Sequence, residues 1–237
     1  FKGGLIPYLR NIPLASRLSK IFQVPVTVLN DGDAAGLAEA RIGNLQDCGC
    51  GATFVLGTGV GLSLTSNGSL ISTWNLKDYL RWPNPEEPPT APEQKQFQRE
   101  ILKHGISSLV QNLGSAVNFV AQASQLLQLP EEDGIQVFEA LHAGHHEELQ
   151  NLFISYCREI AILIYNLQSL VRLEKVTIGG GISSQDLLLE EINYQYKSLM
   201  DESGEQRFSL VEIQAARYHN SSNLLGAVCH FKILENH

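Results

Sequence analysis

Cysteine is scarce in this sequence, clusters of basic residues are missing, and no apolar run is long. The four cysteines, Cys48, Cys50, Cys157 and Cys229, are irregularly spaced. That argues against a disulfide framework and predicts a reducing, cytoplasmic compartment. No uninterrupted apolar stretch reaches the ~18 residues of a membrane span. The opening Phe1-Lys2-Gly3-Gly4 has neither an initiating Met nor a signal-peptide core, so it reads as the middle of a protein. Lys and Arg number 17 against 25 Asp and Glu and nowhere form a stripe. With a pI near 5.4, the chain offers no concentrated positive surface for a phosphate backbone. The expected partner is a small molecule, with no membrane and no nucleic acid contacted through these residues.

What is present is a globular composition: 237 residues, 43% hydrophobic and 18% charged. At ~150 residues per domain this makes one or two domains, and a chain of this size buries about 70–75% of its extended surface. Leu14 to Phe22 has helical spacing, and Val24 to Leu29 is a β-branched run of buried-strand length that stops at Asn30-Asp31-Gly32-Asp33. A helix is expected from Ala34 to Ile42, ending at Gly43. Ala52 to Leu56 and Val60 to Thr65 read as strands, and Asn67-Gly68 as a type I′ turn returning the chain through Leu70-Ile71. Trp82 to Pro92 holds five prolines and reads as an irregular loop. Helical patterns follow over Lys95 to Lys103, Ile106 to Leu129, Gly134 to Leu141 and His146 to Leu173, the last broad enough in its apolar face to be a central helix. Val176 to Ile178 and Leu210 to Ala215 read as strands, alternating with helices over Gln185 to Met200 and Ser222 to Leu234. The class is α/β, with parallel or mixed pairing and helices covering the sheet.

Three polar interruptions carry the chemical interest. Asn30-Asp31 follows a strand and precedes a helix, which suits a turn and N-cap. It also suits a hydroxyl-binding site at the carboxyl edge of a sheet, with Asp31 as base. Gly57-Thr58-Gly59-Val60-Gly61 is either a plain strand turn or a backbone cradle for phosphate. It lacks the Lys of a P-loop and opens no helix. Gly179-Gly180-Gly181, before a helix that Ser183 or Ser184 would cap, is either a tight turn or a flat surface for an adenosine beside a helix N-terminus.

Taken in order and spacing, these segments resemble the ROK family of sugar kinases and sugar-responsive repressors, within the actin-like ATPase superfamily. The segments are Val26 to Ala35, Phe54 to Gly61 with its Asn67-Gly68 hairpin, Val176 to Ser183, and the tail His219-Asn220-Ser221-Ser222-Asn223-Leu224-Leu225-Gly226-Ala227. The resemblance implies an actin-like ATPase (ribonuclease H-like) lobe, a mixed sheet flanked by helices, mostly the C-terminal lobe of a two-lobe kinase. Residues 1–30 would end the N-terminal lobe and form the hinge, residues 31–218 the C-terminal nucleotide- and sugar-binding lobe, and residues 219–237 a closing helix returning toward the N-terminal lobe. It implies Asp31 as general base on a sugar hydroxyl and Asn30 as a sugar ligand. Gly57, Thr58 and Gly59 would bind the terminal phosphates of ATP, and Gly179, Gly180 and Gly181 would line the adenosine site. The reaction would be in-line phosphoryl transfer from ATP to a hexose, glucose or a related aldose, with Mg²⁺ bridging phosphates. A homodimer stays open.

The sequence departs from the family pattern in three places. An Asp-Gly-Gly-Thr hairpin is absent and would lie before Phe1, residues 72–110 contain no Glu-x-Gly-His string, and the zinc-binding Cys cluster that should follow is missing. Cys48-Gly49-Cys50-Gly51 precedes the phosphate hairpin without a third or fourth ligand nearby and reads as a loop, so no metal site is expected. His142, His145 and His146 flank a helix break at Ala143-Gly144 and read as a solvated helix start, and Glu86 and Glu87 as solvated surface. Two alternatives follow: a non-catalytic sugar-sensing relative, or a transcriptional repressor whose DNA-binding part lies outside this chain. Because the architecture closes two lobes around substrate, little turnover is expected of residues 1–237 alone.

Overall fold

The computed structural model describes residues 12–71, 114–204 and 209–235. The Pro-rich segment from Trp82 to Pro92, with Glu86 and Glu87, and the helical pattern from Lys95 to Lys103 lie outside them. In chain order the described elements are α1 (Leu14–Phe22), α2 (Asp31–Ile42), β1 (Gly51–Leu56), β2 (Val60–Ser66), β3 (Ser69–Leu70), α3 (Ala116–Leu126), α4 (Gly134–Ala143), α5 (Glu147–Leu170), β4 (Lys175–Gly180), α6 (Asp186–Ser203), β5 (Glu212–Ala215) and α7 (Ser222–Glu235), the last preceded by a 3₁₀ turn at His219–Ser221.

The strands form a five-stranded mixed sheet in the order β3-β2-β1-β4-β5. The β1–β2 and β2–β3 pairs are antiparallel, while β1–β4 and β4–β5 are parallel. Asn67 and Gly68 both take positive φ (48° and 76°), the geometry of the expected type I′ turn.

The two faces of the sheet are built differently. Ala52, Phe54 and Leu56 of β1 and Val176 and Ile178 of β4 join the main core under α3, α5 and α6. There Phe119 stacks on Tyr156 at 4.6 Å and meets Phe153 at 5.9 Å. Full burial of side chains of this size contributes roughly 1.5–3 kcal/mol each, so this face supplies most of the hydrophobic stabilisation among the described residues. The 24-residue α5 is the expected central helix, with Cys157, Ile160, Ala161 and Ile164 fully buried.

The opposite face is small and polar. Thr53 and Thr177, paired across β1 and β4, share a buried hydroxyl–hydroxyl hydrogen bond of 2.9 Å. α2 lies on this face with Gly36 against Ser63, so close that an added Cβ would collide with the serine side chain. The other side of α2 is covered by α7, where a Cβ on Gly226 would strike the backbone of Ala34. An element enclosed on both sides has no need of a one-sided apolar stripe, which is why Ala34, Ala35, Leu37, Ala38 and Ala40 are all buried.

Four sequence expectations are corrected. Val24 to Leu29 is not a strand: a strand is defined by ladder partners, and none of the described strands lies beside it. The helix expected over Ile106 to Leu129 begins, within the described residues, only at Ala116, because Gly114 takes positive φ and Ser115 caps the helix through Asn118 N–H. Neither Ser183 nor Ser184 caps α6. Its N-cap is Gln185, and the Ser183 hydroxyl donates instead to the Gly180 carbonyl at 2.8 Å. The central helix stops at Leu170, three residues early, where Val171 turns to extended backbone. No described helix is long and apolar enough to cross a membrane.

Candidate active site

The backbone of Asn30 is extended (φ −66°, ψ 146°), and its carboxamide oxygen accepts from the N–H groups of Gly32 (3.0 Å) and Asp33 (3.3 Å). This is an N-cap. It fixes Asp31 as the first helical residue, with its carboxylate exposed and Oδ1 accepting from Gly32 N–H at 2.9 Å. The cap occupies the Asn30 oxygen and leaves the Asp31 carboxylate exposed. The first turn of α2 approaches the β1–β2 hairpin closely, a Cβ on Gly32 lying 3.6 Å from the Gly61 Cα.

Leu56 pairs with Gly180 in the parallel β1–β4 register, so both glycine segments leave the sheet at the same carboxyl edge. Adjacent strands are about 4.8 Å apart. The Gly57-Thr58-Gly59 turn closes through Gly57 N–H on the Gly59 carbonyl (3.0 Å), and Thr58 is exposed. The Gly57 carbonyl accepts from Ser115 Oγ (3.3 Å) and Val117 N–H (3.4 Å), which anchors the turn to the start of α3.

The glycines have different reasons to be glycine. Gly180 has φ +107°, and a side chain there would collide with the Leu56 carbonyl, so the fold itself requires it. Gly181 would meet nothing within 4 Å, and Gly57 only the Gly59 oxygen at 3.9 Å. A side chain at either would fill open space at the sheet edge, the condition for a close backbone approach to a nucleotide.

A cleft of about 90 Å³ opens at this edge, lined by Asp31, Gly179 and Gly180 over a floor that includes Val55 and Ala216. The structure thus brings Asp31 together with two of the three adenosine-segment glycines. Asn30, Gly181, Gly57, Thr58 and Gly59 border this edge without lining the cleft. Ligand pockets enclose roughly 300–1,000 Å³, so the cleft among the described residues is smaller than a typical ligand pocket. Among them, no set of three or more His, Cys, Asp or Glu side chains is placed to hold a metal ion. Cys48 and Cys50 are free and buried, and burial pushes the Cys50 thiol up to about 11.

The cleft's second wall is His219, Asn220, Ser222 and Asn223, part of the tail that resembles the family's closing helix, to which the sequence assigned no ligand role. Its signal was a polar run directly after a strand and before a helix, the pattern that the sequence also suggested at Asn30-Asp31. A buried acid ties the segment leading to this wall onto α2. Glu39 is fully buried, and its carboxylate accepts from Arg217 N–H (2.9 Å) and Asn44 N–H (3.0 Å). Asn44 Nδ2 donates to the Ala215 carbonyl (2.9 Å) and the Tyr218 hydroxyl to the Ile42 carbonyl (2.9 Å). Burial raises the Glu39 carboxyl above its usual range despite these donors and the Arg217 charge. Burial, and then the charge of Asp31, also raise Asp33.

A model of the ROK family matches residues 6–75 and 96–233. The chain is 28% identical over 238 aligned positions to a beta-glucoside kinase of Listeria monocytogenes serovar 1/2a, covering 99% of this chain and 74% of that one. It is 29% identical, with the same coverage, to a beta-glucoside kinase of Listeria innocua serovar 6a. Among solved structures, the Lmo2764 protein from Listeria monocytogenes matches with a TM-score of 0.71 at 26% identity, over 99% of this chain and 75% of that one. A ROK family glucokinase from Streptomyces griseus in complex with glucose and AMPPNP matches with a TM-score of 0.64 at 20% identity, over 93% and 72%, a likeness of fold. The mixed sheet and its flanking helices are those of the actin-like ATPase class to which these kinases belong.

Proposed function

The chain belongs to the ROK family, and on that premise we propose that it is an ATP-dependent sugar kinase acting on a hexose hydroxyl, with Asp31 as general base. One observation carries the reading: the exposed Asp31 carboxylate, presented by the Asn30 cap, lines the same cleft as Gly179 and Gly180. Relatives named as beta-glucoside kinases add β-glucosides to glucose as substrates to test. Residues 31–218 would be the lobe that carries the site and residues 219–237 its closing helix.

A sugar hydroxyl has a pKa far above 7, so its proton must pass to a positioned acceptor as the oxygen attacks. Asp31 takes that proton. The new bond joins the sugar oxygen to the γ-phosphorus, the bond from the γ-phosphorus to the β–γ bridging oxygen breaks, and ADP leaves with that electron pair. The cap uses the Asn30 oxygen, so a hydrogen bond from Asn30 to the sugar is donated by its NH₂. With the Gly57 N–H closing the turn on the Gly59 carbonyl, Thr58 and Gly59 would offer backbone N–H groups to the terminal phosphates, and Gly179 to Gly181 a side-chain-free surface to the adenosine. Mg²⁺, when bound, would supply positive charge that offsets the charge developing on the transferred phosphoryl group. Asp31 is the single carboxylate among the described cleft-lining residues, which suits an ion held largely by the nucleotide itself.

The test is ADP release by the full-length protein over a panel of hexoses and β-glucosides. Asp31→Asn should lower kcat about 10²- to 10⁴-fold while sugar binding persists. Turnover by this variant at the parental rate would refute Asp31 as the base. Sugar binding with no turnover by the parent would favour the sugar-sensing reading.

A further inference from the structure

The wall facing Asp31 contains an anomaly. Ser222 is 2% exposed and lines the cleft, yet its hydroxyl has no hydrogen-bond partner among the described residues. Buried side-chain hydroxyls are nearly always bonded, and one that is not calls for an explanation. Ser222 opens α7, and beside it Asn220 and Asn223 are exposed at the same cleft. Asn223 Oδ1 accepts from Leu224 N–H at 2.9 Å, so a hydrogen bond from Asn223 to a ligand is donated by its NH₂.

The composition of the cleft restricts what this hydroxyl meets. No Lys or Arg is among the described lining residues, and their one carboxylate is Asp31. A phosphate seated there would face the Asp31 carboxylate, with His219 the one side chain among the described lining residues able to carry an offsetting charge. A neutral hydroxyl group has no such conflict: it can donate to an oxygen and accept from the Asn223 NH₂ or the Ser222 O–H.

We infer that Ser222 and Asn223 form a hydroxyl-recognition contact for a polyol, either the ribose of the nucleotide or the sugar acceptor. The inference rests on the sugar-kinase reading for the choice of ligands, and its test is binding, which can be scored whether or not turnover occurs. Affinities of the full-length protein, its Ser222→Ala variant and its Asn223→Ala variant are measured by calorimetry with ATP, 2′-deoxy-ATP, 3′-deoxy-ATP, glucose and a β-glucoside. Loss of one such bond should weaken binding about three- to tenfold. If the ribose is the ligand, both variants lose affinity for ATP and not for one of the deoxy nucleotides, and sugar binding is unchanged. If the acceptor is the ligand, both lose affinity for glucose or the glucoside, and ATP binding is unchanged.

The inference is overturned if Ser222→Ala melts at or above the parental temperature and binds every ligand within twofold of the parent. Should Ser222→Ala fail to fold, the exposed Asn223→Ala decides, and unchanged binding by it has the same meaning. A parent that binds neither ATP nor sugar also overturns it. A parent that binds through Ser222 but releases no ADP upholds this contact and refutes the kinase reading, so the two failures are distinguishable.

Discussion

Replacing Glu39 by Ala or Gln perturbs the tie between α2 and the segment that leads to the second wall of the cleft. The carboxylate is fully buried and accepts from two backbone donors, Arg217 N–H at 2.9 Å and Asn44 N–H at 3.0 Å. Hydrogen bonds to a charged partner contribute roughly 1.5–3 kcal/mol each, and a buried donor left unpaired costs about 1–3 kcal/mol. Glu39→Ala orphans both donors at once and should destabilise by about 3–5 kcal/mol. Glu39→Gln keeps the volume and one acceptor but turns an NH₂ toward the other N–H, for a loss of about 1–3 kcal/mol. Either is a large part of a typical ~5–15 kcal/mol total. Urea unfolding of the three proteins gives the differences directly. A loss below about 0.5 kcal/mol for Glu39→Ala, the range of featureless surface changes, would refute the clamp.

The pH dependence of the same comparison has a definite sign. Burial holds the Glu39 carboxyl above its ordinary 4.5, so the native state binds this proton more tightly than the unfolded chain. Its contribution is fully present below about pH 4.5 and is lost as pH rises through the raised native value. Gln does not titrate, so the stability advantage of the parent over Glu39→Gln should shrink as pH rises across that window. An advantage that grows with pH contradicts the burial argument.

Adjacent glycines should respond oppositely to the same change. Gly180→Ala places a side chain at φ +107° against the Leu56 carbonyl, so it should lose at least about 1–3 kcal/mol, a drop of roughly 2–12 °C in Tm. Gly181→Ala meets no neighbour and should leave Tm within about 2 °C, while its added methyl raises the KM for ATP. An unchanged KM would remove Gly181 from the nucleotide surface. For the paired hydroxyls at 2.9 Å, Thr53→Val or Thr177→Val alone orphans its partner and should cost about 1–3 kcal/mol. The double variant should cost less than the sum by at least about 0.5 kcal/mol, read from a double-mutant cycle of urea midpoints, and strict additivity would show that the bond contributes nothing.

The parts of the molecule legible in the sequence are those decided within a few residues. Asn30 caps and presents Asp31 through bonds reaching no further than Asp33, and Asn67-Gly68 makes its own turn. The glycine segments were visible as strand ends, and parallel pairing then carried both to one edge. What escaped is held by distant partners. Val24 to Leu29 has a strand composition, but its pairing is a tertiary matter that composition cannot supply. Ser183 is an able cap by type, yet the Gly180 carbonyl, turned by a positive φ, takes its hydroxyl instead. Glu39 sits in an Ala-rich helix like any solvated glutamate, and its partner Arg217 lies 178 positions away.

The second wall of the cleft follows the same logic. The tail carrying Asn220, Ser222 and Asn223 was legible as a closing helix, but these residues come to line one cleft with Asp31 only where α7 crosses α2 with Gly226 against Ala34. Two helices can cross this closely only if neither places a side chain between them, so that glycine brings the Ser222 end of α7 beside the Asp31 end of α2. A search for this site in sequence would therefore begin from the small residues that permit the crossing and look one turn back for polar groups. Applied to α7, one turn before Gly226 is Ser222; applied to α2, one turn before Ala34 is Asn30-Asp31.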